Sequence, residues 1–271
     1  MALITLSQSM GSGGAPIARR VAEALNLELF DDQRLKQKAV EMGVCAADLK
    51  GLDEKAPGFF DRLLSQKPEV YLDILKAVVY ETCRQGSGVI VGHGSQVLLN
   101  DFNCAFHVLL HASQKARIES IAREKGLAPE VARRLIHKND SEQRGFFRYA
   151  FNLRWDDPTL YDLVINPDKI GLEVSAGMII QGARSDEIKA CSLSALETIE
   201  RRSLERQVTA ALKRHDLHLS LLYVEVPKPG VAMIRGTVST EGQRRQIQQI
   251  VAAVPGIETV EIQLLPPHSL L

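Results

Sequence analysis

Apolar residues follow two rhythms along this chain. In the first two-thirds, short runs dense in Val, Ile, Leu and Phe alternate with longer stretches whose apolar positions recur every three to four residues. The runs Ala2–Leu6, Gly88–Val91, Ala105–Leu110 and Tyr161–Ile165 predict strands. They are nearly continuous rather than alternating, as strands covered on both faces by helices are. The stretches Asp32–Met42, Glu69–Arg84, Gln114–Lys125, Pro129–His137 and Ser141–Phe151 predict helices. A Ser/Gly-rich loop, Ser7–Ala15, follows the first run. Pro16 then stands where a helix favours proline, at its first position, with Ile17, Val21, Ala24 and Leu25 as the apolar stripe. Strands alternating with helices predict an α/β fold with a parallel sheet and right-handed crossovers.

Near Arg184 the rhythm changes. Ser185–Ile199 is polar and helix-prone and reads as a linker helix. A helix (Leu204–Lys213), two strands (Leu221–Val226 and Val231–Val238), another helix (Glu241–Val254) and a last strand (Thr259–Leu264) follow. Pro227-Lys228-Pro229-Gly230 joins the two strands as a hairpin, which a parallel sheet has no need of. The expected organisation is a large domain over residues 1–184, a linker helix over 185–200 and a small α+β domain over 201–266. A module that small is marginal alone, so it is expected to dock on the larger domain, on a second copy, or on a protein or ligand partner.

Charge and composition narrow the classes of function. Thirty-three basic residues balance thirty-three acidic ones, so no whole-molecule field draws in nucleic acid or an anionic membrane. Any bound anion must be held by a local set of donors. No apolar run nears the length of a spanning helix, and the N-terminus has no secretory pattern. Cys45, Cys83, Cys104 and Cys191 form no C-x-x-C pair and have no His partner at ligand spacing. That argues against a disulfide framework and a structural zinc site, and the chain reads as cytoplasmic.

The richest segment runs from Ile4 to Val21. A strand, a glycine-rich turn and a helix point several backbone N–H groups at one spot, where the helix dipole adds about half a positive charge. Gly11, Gly13 and Gly14 allow positive φ and leave room for an anion at the backbone. Ser9 and Ser12 complete the cradle. A Walker A motif would require glycine at Gln8, lysine at Gly14 and a hydroxyl at Ala15, and this chain has none of the three. The bland alternative is a tight strand-to-helix turn with no ligand.

The segment SQSMGSGGAPIA resembles the glycine-rich loop of the cytidylate-kinase-like branch of nucleoside monophosphate kinases, which reads S-R-x-x-G-S-G-G and has already lost the Walker lysine. The likeness continues through Leu29-Phe30-Asp31, Leu52-Asp53-Glu54-Lys55-Ala56-Pro57, Val89-Ile90-Val91-Gly92, and Leu110-His111-Ala112 with Arg117. It returns in Asp156-Asp157-Pro158 and Tyr161-Asp162-Leu163-Val164-Ile165-Asn166. The resemblance implies a P-loop kinase-like three-layer fold with a five-stranded parallel sheet. It further implies ATP as phosphate donor, Mg²⁺ carried with the nucleotide, and a nucleoside monophosphate or similar small acceptor. The C-terminal module resembles a BON domain, on Val231-Ala232-Met233-Ile234-Arg235-Gly236-Thr237-Val238 followed by Val254-Pro255-Gly256-Ile257 and Val260.

Phosphoryl transfer needs positive charge around the moving group. Ile136–Arg154 matches the family's lid, and Arg144 and Arg148, four apart on one helix face, are expected to close on the phosphates with Asp140 orienting them. Arg117 matches a phosphate- or lid-contacting arginine. Arg123 is expected at the surface, and Arg19 and Arg20 to point away from the cradle. For the acceptor the candidates are Asp31 and His93, at strand ends where open α/β sheets bind ligands. The family carries arginine at the position of His93. No residue set suggests a metal cage. The expected activity is ATP-dependent transfer to a cytidylate-like acceptor. The alternatives are a catalytically weak nucleotide sensor signalling through the C-terminal module and a structural protein that has lost its ligand.

Overall fold

The structure, a computed structural model, describes residues 3–44, 68–188, 190–215, 217 and 221–265. Cys45, the Leu52–Pro57 motif and Phe59-Phe60 lie outside them. Five parallel strands form the main sheet: β1 (Leu3–Gln8), β2 (Leu29–Phe30), β3 (Gly88–Val91), β4 (Ala105–Leu110) and β5 (Leu163–Ile165), in the order β2-β3-β1-β4-β5. Every residue of β3 and β4 is buried, which is why they carry apolar residues at successive positions. β1 extends past Leu6 because its pairing with β4 continues to Gln8↔Leu110. β5 is shorter than its apolar run suggests, since pairing with β4 begins only at Leu163.

Helices cover the sheet: α1 (Gly14–Leu25), α2 (Asp32–Glu41), α3 (Pro68–Thr82), the short α4 (Ser95–Leu98), α5 (Gln114–Lys125), α6 (Pro129–Phe151) and α7 (Pro167–Ala183). Ile17, Ala18, Val21 and Ala22 of α1 pack with β1, β3 and β4 on one face, and α3 packs on the other. Two expectations need correction. Pro16 is the third residue of α1, not the first; the first turn tolerates it because its N–H would have no intrahelical partner. The two helices read over 129–137 and 141–151 are one helix, continuous through Lys138-Asn139-Asp140 because Ile136 and Phe146 bury both flanks. The apolar pattern also does not mark α7, whose kink at Gly171 (φ 79°) interrupts its periodicity.

The helices read separately over 185–199 and 204–213 are likewise one, α8 (Leu193–Arg214), with Ser192 capping its start. Ile199 and Ala210 pack into the core beside α3, while Val208 and Leu212 enter the core of a small C-terminal sheet. That sheet pairs β6 (Leu222–Lys228) antiparallel with β7 (Val231–Thr237) as the expected hairpin, and β7 parallel with β8 (Thr259–Leu265). α9 (Glu241–Ala252) makes the crossover. Asp73 of α3, almost fully buried, meets Lys213 at 2.7 Å and Arg206 at 3.4 Å, fastening α8 to the larger body.

The cysteine expectation is also corrected. Cys104, just before β4, and Cys191, just before α8, form a disulfide across 87 residues. Their spacing carries no signature because the fold, not local sequence, brings them together. Among the described residues Cys83 is the free thiol, fully buried and pushed up to about 12 by desolvation. No helix among the described residues is long and apolar enough to cross a membrane.

Candidate functional site

β1 ends at Gln8, and Ser9–Gly13 turn the chain into α1. Gly11 (φ 84°) and Gly13 (φ 80°) hold left-handed backbone that side-chain-bearing residues rarely adopt. A Cβ on Gly11 would stand 2.8 Å from the Arg117 carbonyl oxygen, so this glycine is required by the close approach of α5. Gly13 caps α1 with no side-chain bond, which leaves first-turn N–H groups without intrahelical partners at the loop. Ser12 is nearly buried, and its Oγ has no hydrogen-bond partner among the described residues. The Ser9 hydroxyl meets His111 Nδ1 at 3.3 Å.

Gly11 to Pro16 line a cleft of about 660 Å³, in the range of small-ligand sites. The turn is neither collapsed nor closed off. Two side chains border it. A Cβ on Gly14, where Walker A has lysine, would collide with the Gln8 carboxamide, and one on Gly13 would meet Leu172 at 2.6 Å. Gln8 stands where the motif has glycine, and its carboxamide would have to shift to admit a side chain at position 14.

Arg117 is buried and holds three parts together. Its Nε donates to the Met10 carbonyl at 2.7 Å, and its two terminal nitrogens donate to the Asp140 carboxylate at 3.0 and 2.6 Å. The loop, α5 and α6 therefore meet at one guanidinium, in the two-pronged geometry that suits Arg with carboxylate. Asp140 is thus engaged by Arg117, not by Arg144 or Arg148. Those two arginines are exposed, and neither lines the cleft. The α6 residues that face the loop are Asn139, Glu142, Gln143 and Phe146, one stripe at helical spacing. Arg123 and Lys125, in the last turn of α5, are exposed on the cleft's rim. Arg20 pairs instead with Glu173 at the surface.

At the acceptor end, Asp31 caps α2 by accepting from the Arg34 N–H at 3.0 Å. It is exposed and does not line the cleft. Its neighbour Asp32 does, and Asp32 Oδ1 lies 2.9 Å from Nε2 of the fully buried His93. Sequence reasoning missed Asp32 because only the tertiary pairing with His93 separates the two aspartates. It also missed Asp168, which accepts from the Ser113 N–H at 2.9 Å and lines the cleft beside Pro167. The Asn166 cap that opens α7 is the signal that could have found it.

Residues 3–169 match the model of the cytidylate kinase-like family. A cytidylate kinase of Aeropyrum pernix is 26% identical over 180 residues, covering 66% of this chain and 97% of its own. A cytidylate kinase of Archaeoglobus fulgidus is 27% identical over 188 residues, with 69% and 97% covered. Among solved structures, an uncharacterized protein from Eubacterium ventriosum superposes with a TM-score of 0.50 at 19% identity. That match covers 68% of this chain and 99% of the other, and is a likeness of fold alone.

Proposed function

The chain belongs to the cytidylate kinase-like family, and from that premise we propose that it transfers the terminal phosphoryl group of ATP to a nucleoside monophosphate or similar small acceptor. The observation that carries this reading is the open glycine cradle, with its buried Ser12 hydroxyl unpartnered among the described residues, at the foot of a cleft of nucleotide size.

The residues present fit a nucleotide's phosphates. Backbone N–H groups at the start of α1 and the Ser12 hydroxyl are donors, as an anion requires. Mg²⁺ carried on ATP would supply charge neutralisation between the β- and γ-phosphates. Arg117 keeps the loop in shape by holding the Met10 carbonyl and by tying it to α6. Arg123 and Lys125 supply positive charge at the rim, and Arg144 and Arg148, exposed and outside the cleft lining, take no part in this reading. The C-terminal sheet, fastened to the larger body through α8, is read as a BON-like module for self-association or a partner.

A second reading, a nucleotide sensor with little turnover, is favoured by Gln8, which takes the place of a lysine side chain at position 14. One experiment separates the two. Thermal shift with ATP and Mg²⁺ is expected to show stabilisation, and a coupled assay to show ADP release with CMP, UMP, AMP or GMP. Gly11→Ala should abolish the shift, because its Cβ would press on α5. Binding without acceptor-dependent release would select the sensor, and no binding would refute both.

A further inference from the structure

The inner and outer phosphates of a nucleotide make different demands, and this cleft meets only the inner one. A β-phosphate takes the backbone N–H groups of a glycine turn. Those groups stand at the start of α1, and the nearly buried Ser12 hydroxyl, unpartnered among the described residues, adds a donor. A γ-phosphate takes positive charge, from a lysine at position 14 and a metal held by a hydroxyl at position 15. This chain has Gly14 and Ala15 there. The space beside Gly14, where a longer side chain would begin, holds the neutral carboxamide of Gln8.

Two contacts of α6 fix what faces the loop across the cleft. Asp140 holds Arg117, whose Nε donates to the Met10 carbonyl, and Gln143 Nε2 lies 3.5 Å from the Gln8 carbonyl. Along this stretch α6 contributes Asn139, Glu142 and Gln143 to the cleft lining, two amides and a carboxylate. Gln143 Oε1, buried and unpartnered among the described residues, is an acceptor and offers nothing to a phosphate oxygen. The Arg117 charge is taken up by Asp140. Among the described residues the lining carries four carboxylates, Asp32, Glu124, Glu142 and Asp168, against two cations, Arg123 and Lys125, at the exposed rim.

We propose that this cleft holds a nucleoside diphosphate in preference to a triphosphate, with the β-phosphate in the glycine turn and the γ-position lacking a counter-charge. This rests on nucleotide binding at the cleft, which both functions proposed above share, and it names the regulation of that site. A γ-phosphate entering here gives up water and meets amides and a carboxylate, so its desolvation is not recovered. Mg²⁺ on the nucleotide offsets part of that charge, but the chain has no hydroxyl at position 15 to fix it. A kinase built this way is paced by ADP release and inhibited by ADP. A sensor built this way responds to ADP.

The test is calorimetric titration of the full chain, without acceptor, using ADP and the non-hydrolysable β,γ-methylene analogue of ATP. With Mg²⁺, ADP is expected to bind about 10-fold more tightly, the loss of roughly one charge-assisted hydrogen bond. In EDTA the gap should widen, since nothing then offsets the outer phosphate. Gln8→Lys and Glu142→Gln, on β1 and α6, should each shift the preference toward the analogue by about the same factor. An analogue that binds as tightly as ADP overturns the proposal and leaves phosphoryl transfer standing. A gap that closes in EDTA also overturns it, as does an unchanged preference in both variants when their melts without nucleotide match wild type. A wild type that binds neither nucleotide removes nucleotide binding at the cleft, and the proposal with it.

Discussion

His107, in the middle of β4, shows how much a single residue's role depends on what is packed around it. Its Nδ1 lies 2.8 Å from the Thr5 hydroxyl on β1, and its backbone N–H donates to Asp162 at 2.8 Å. Burial holds the imidazole below its ordinary value, opposed by the Asp162 carboxylate and the Leu99 carbonyl. A histidine depressed in this way binds fewer protons folded than unfolded. Stability is therefore retained above the unfolded value of about 6.5 and falls as pH drops through it. Thermal melts from pH 7.5 to 5.5 are expected to show that fall, and His107→Gln to flatten it. Identical slopes in the two proteins would remove the assignment. The lowered carboxyls of Glu41 and Asp157 act in a lower window, so they do not mimic it. The composition of β4 announces a buried strand, but nothing in sequence says that its histidine is neutral.

Among the elements, α6 repays the closest comparison with the sequence. Its ends are legible in the Pro129 start and the apolar Phe146-Phe147, but its middle reads as a break because Lys138-Asn139-Asp140 is polar. The structure keeps it helical, and Asp140 is where α6 is bound to Arg117 and through it to the phosphate loop. Asp140→Asn is expected to destabilise the protein by about 1.5–3 kcal/mol, the range for hydrogen bonds to charged groups. Asp140 keeps some exposure, which favours the low end. The substitution should also weaken ATP binding, because the Met10 carbonyl loses the fixed guanidinium that holds it. A denaturant melt and an ATP titration check both halves, and an unperturbed titration would show that the pair serves the fold alone. Arg117 is visible in sequence as a motif residue. Its direction, toward the loop backbone and Asp140 instead of open cleft, depends on how α5 crosses α6.

At the scale of the whole molecule, α8 is the spine that joins the C-terminal sheet to the larger body. The ion pairs of Asp73 and the Cys104–Cys191 disulfide lie along that junction. Closing a long loop restricts the unfolded chain, so Cys191→Ser is expected to cost about 2–4 kcal/mol. The reading is a lower Tm in the variant, matched by wild type in reductant; equal melting with and without reductant would show that the bond is not holding the fold. Cys83 does not confuse the comparison, since its buried thiol, pushed up to about 12, is inert at neutral pH.

Local pattern by itself determined the parallel sheet, the glycine loop at the end of β1 and the C-terminal hairpin. Strand burial, positive-φ turns and helix periodicity are written in neighbouring residues. Only the tertiary structure decided which of two adjacent aspartates faces the cleft, which arginine locks the loop, and which cysteines meet. Each of those is a contact between residues tens of positions apart, and such contacts depend on strand order and helix crossing, which no local run of residues encodes.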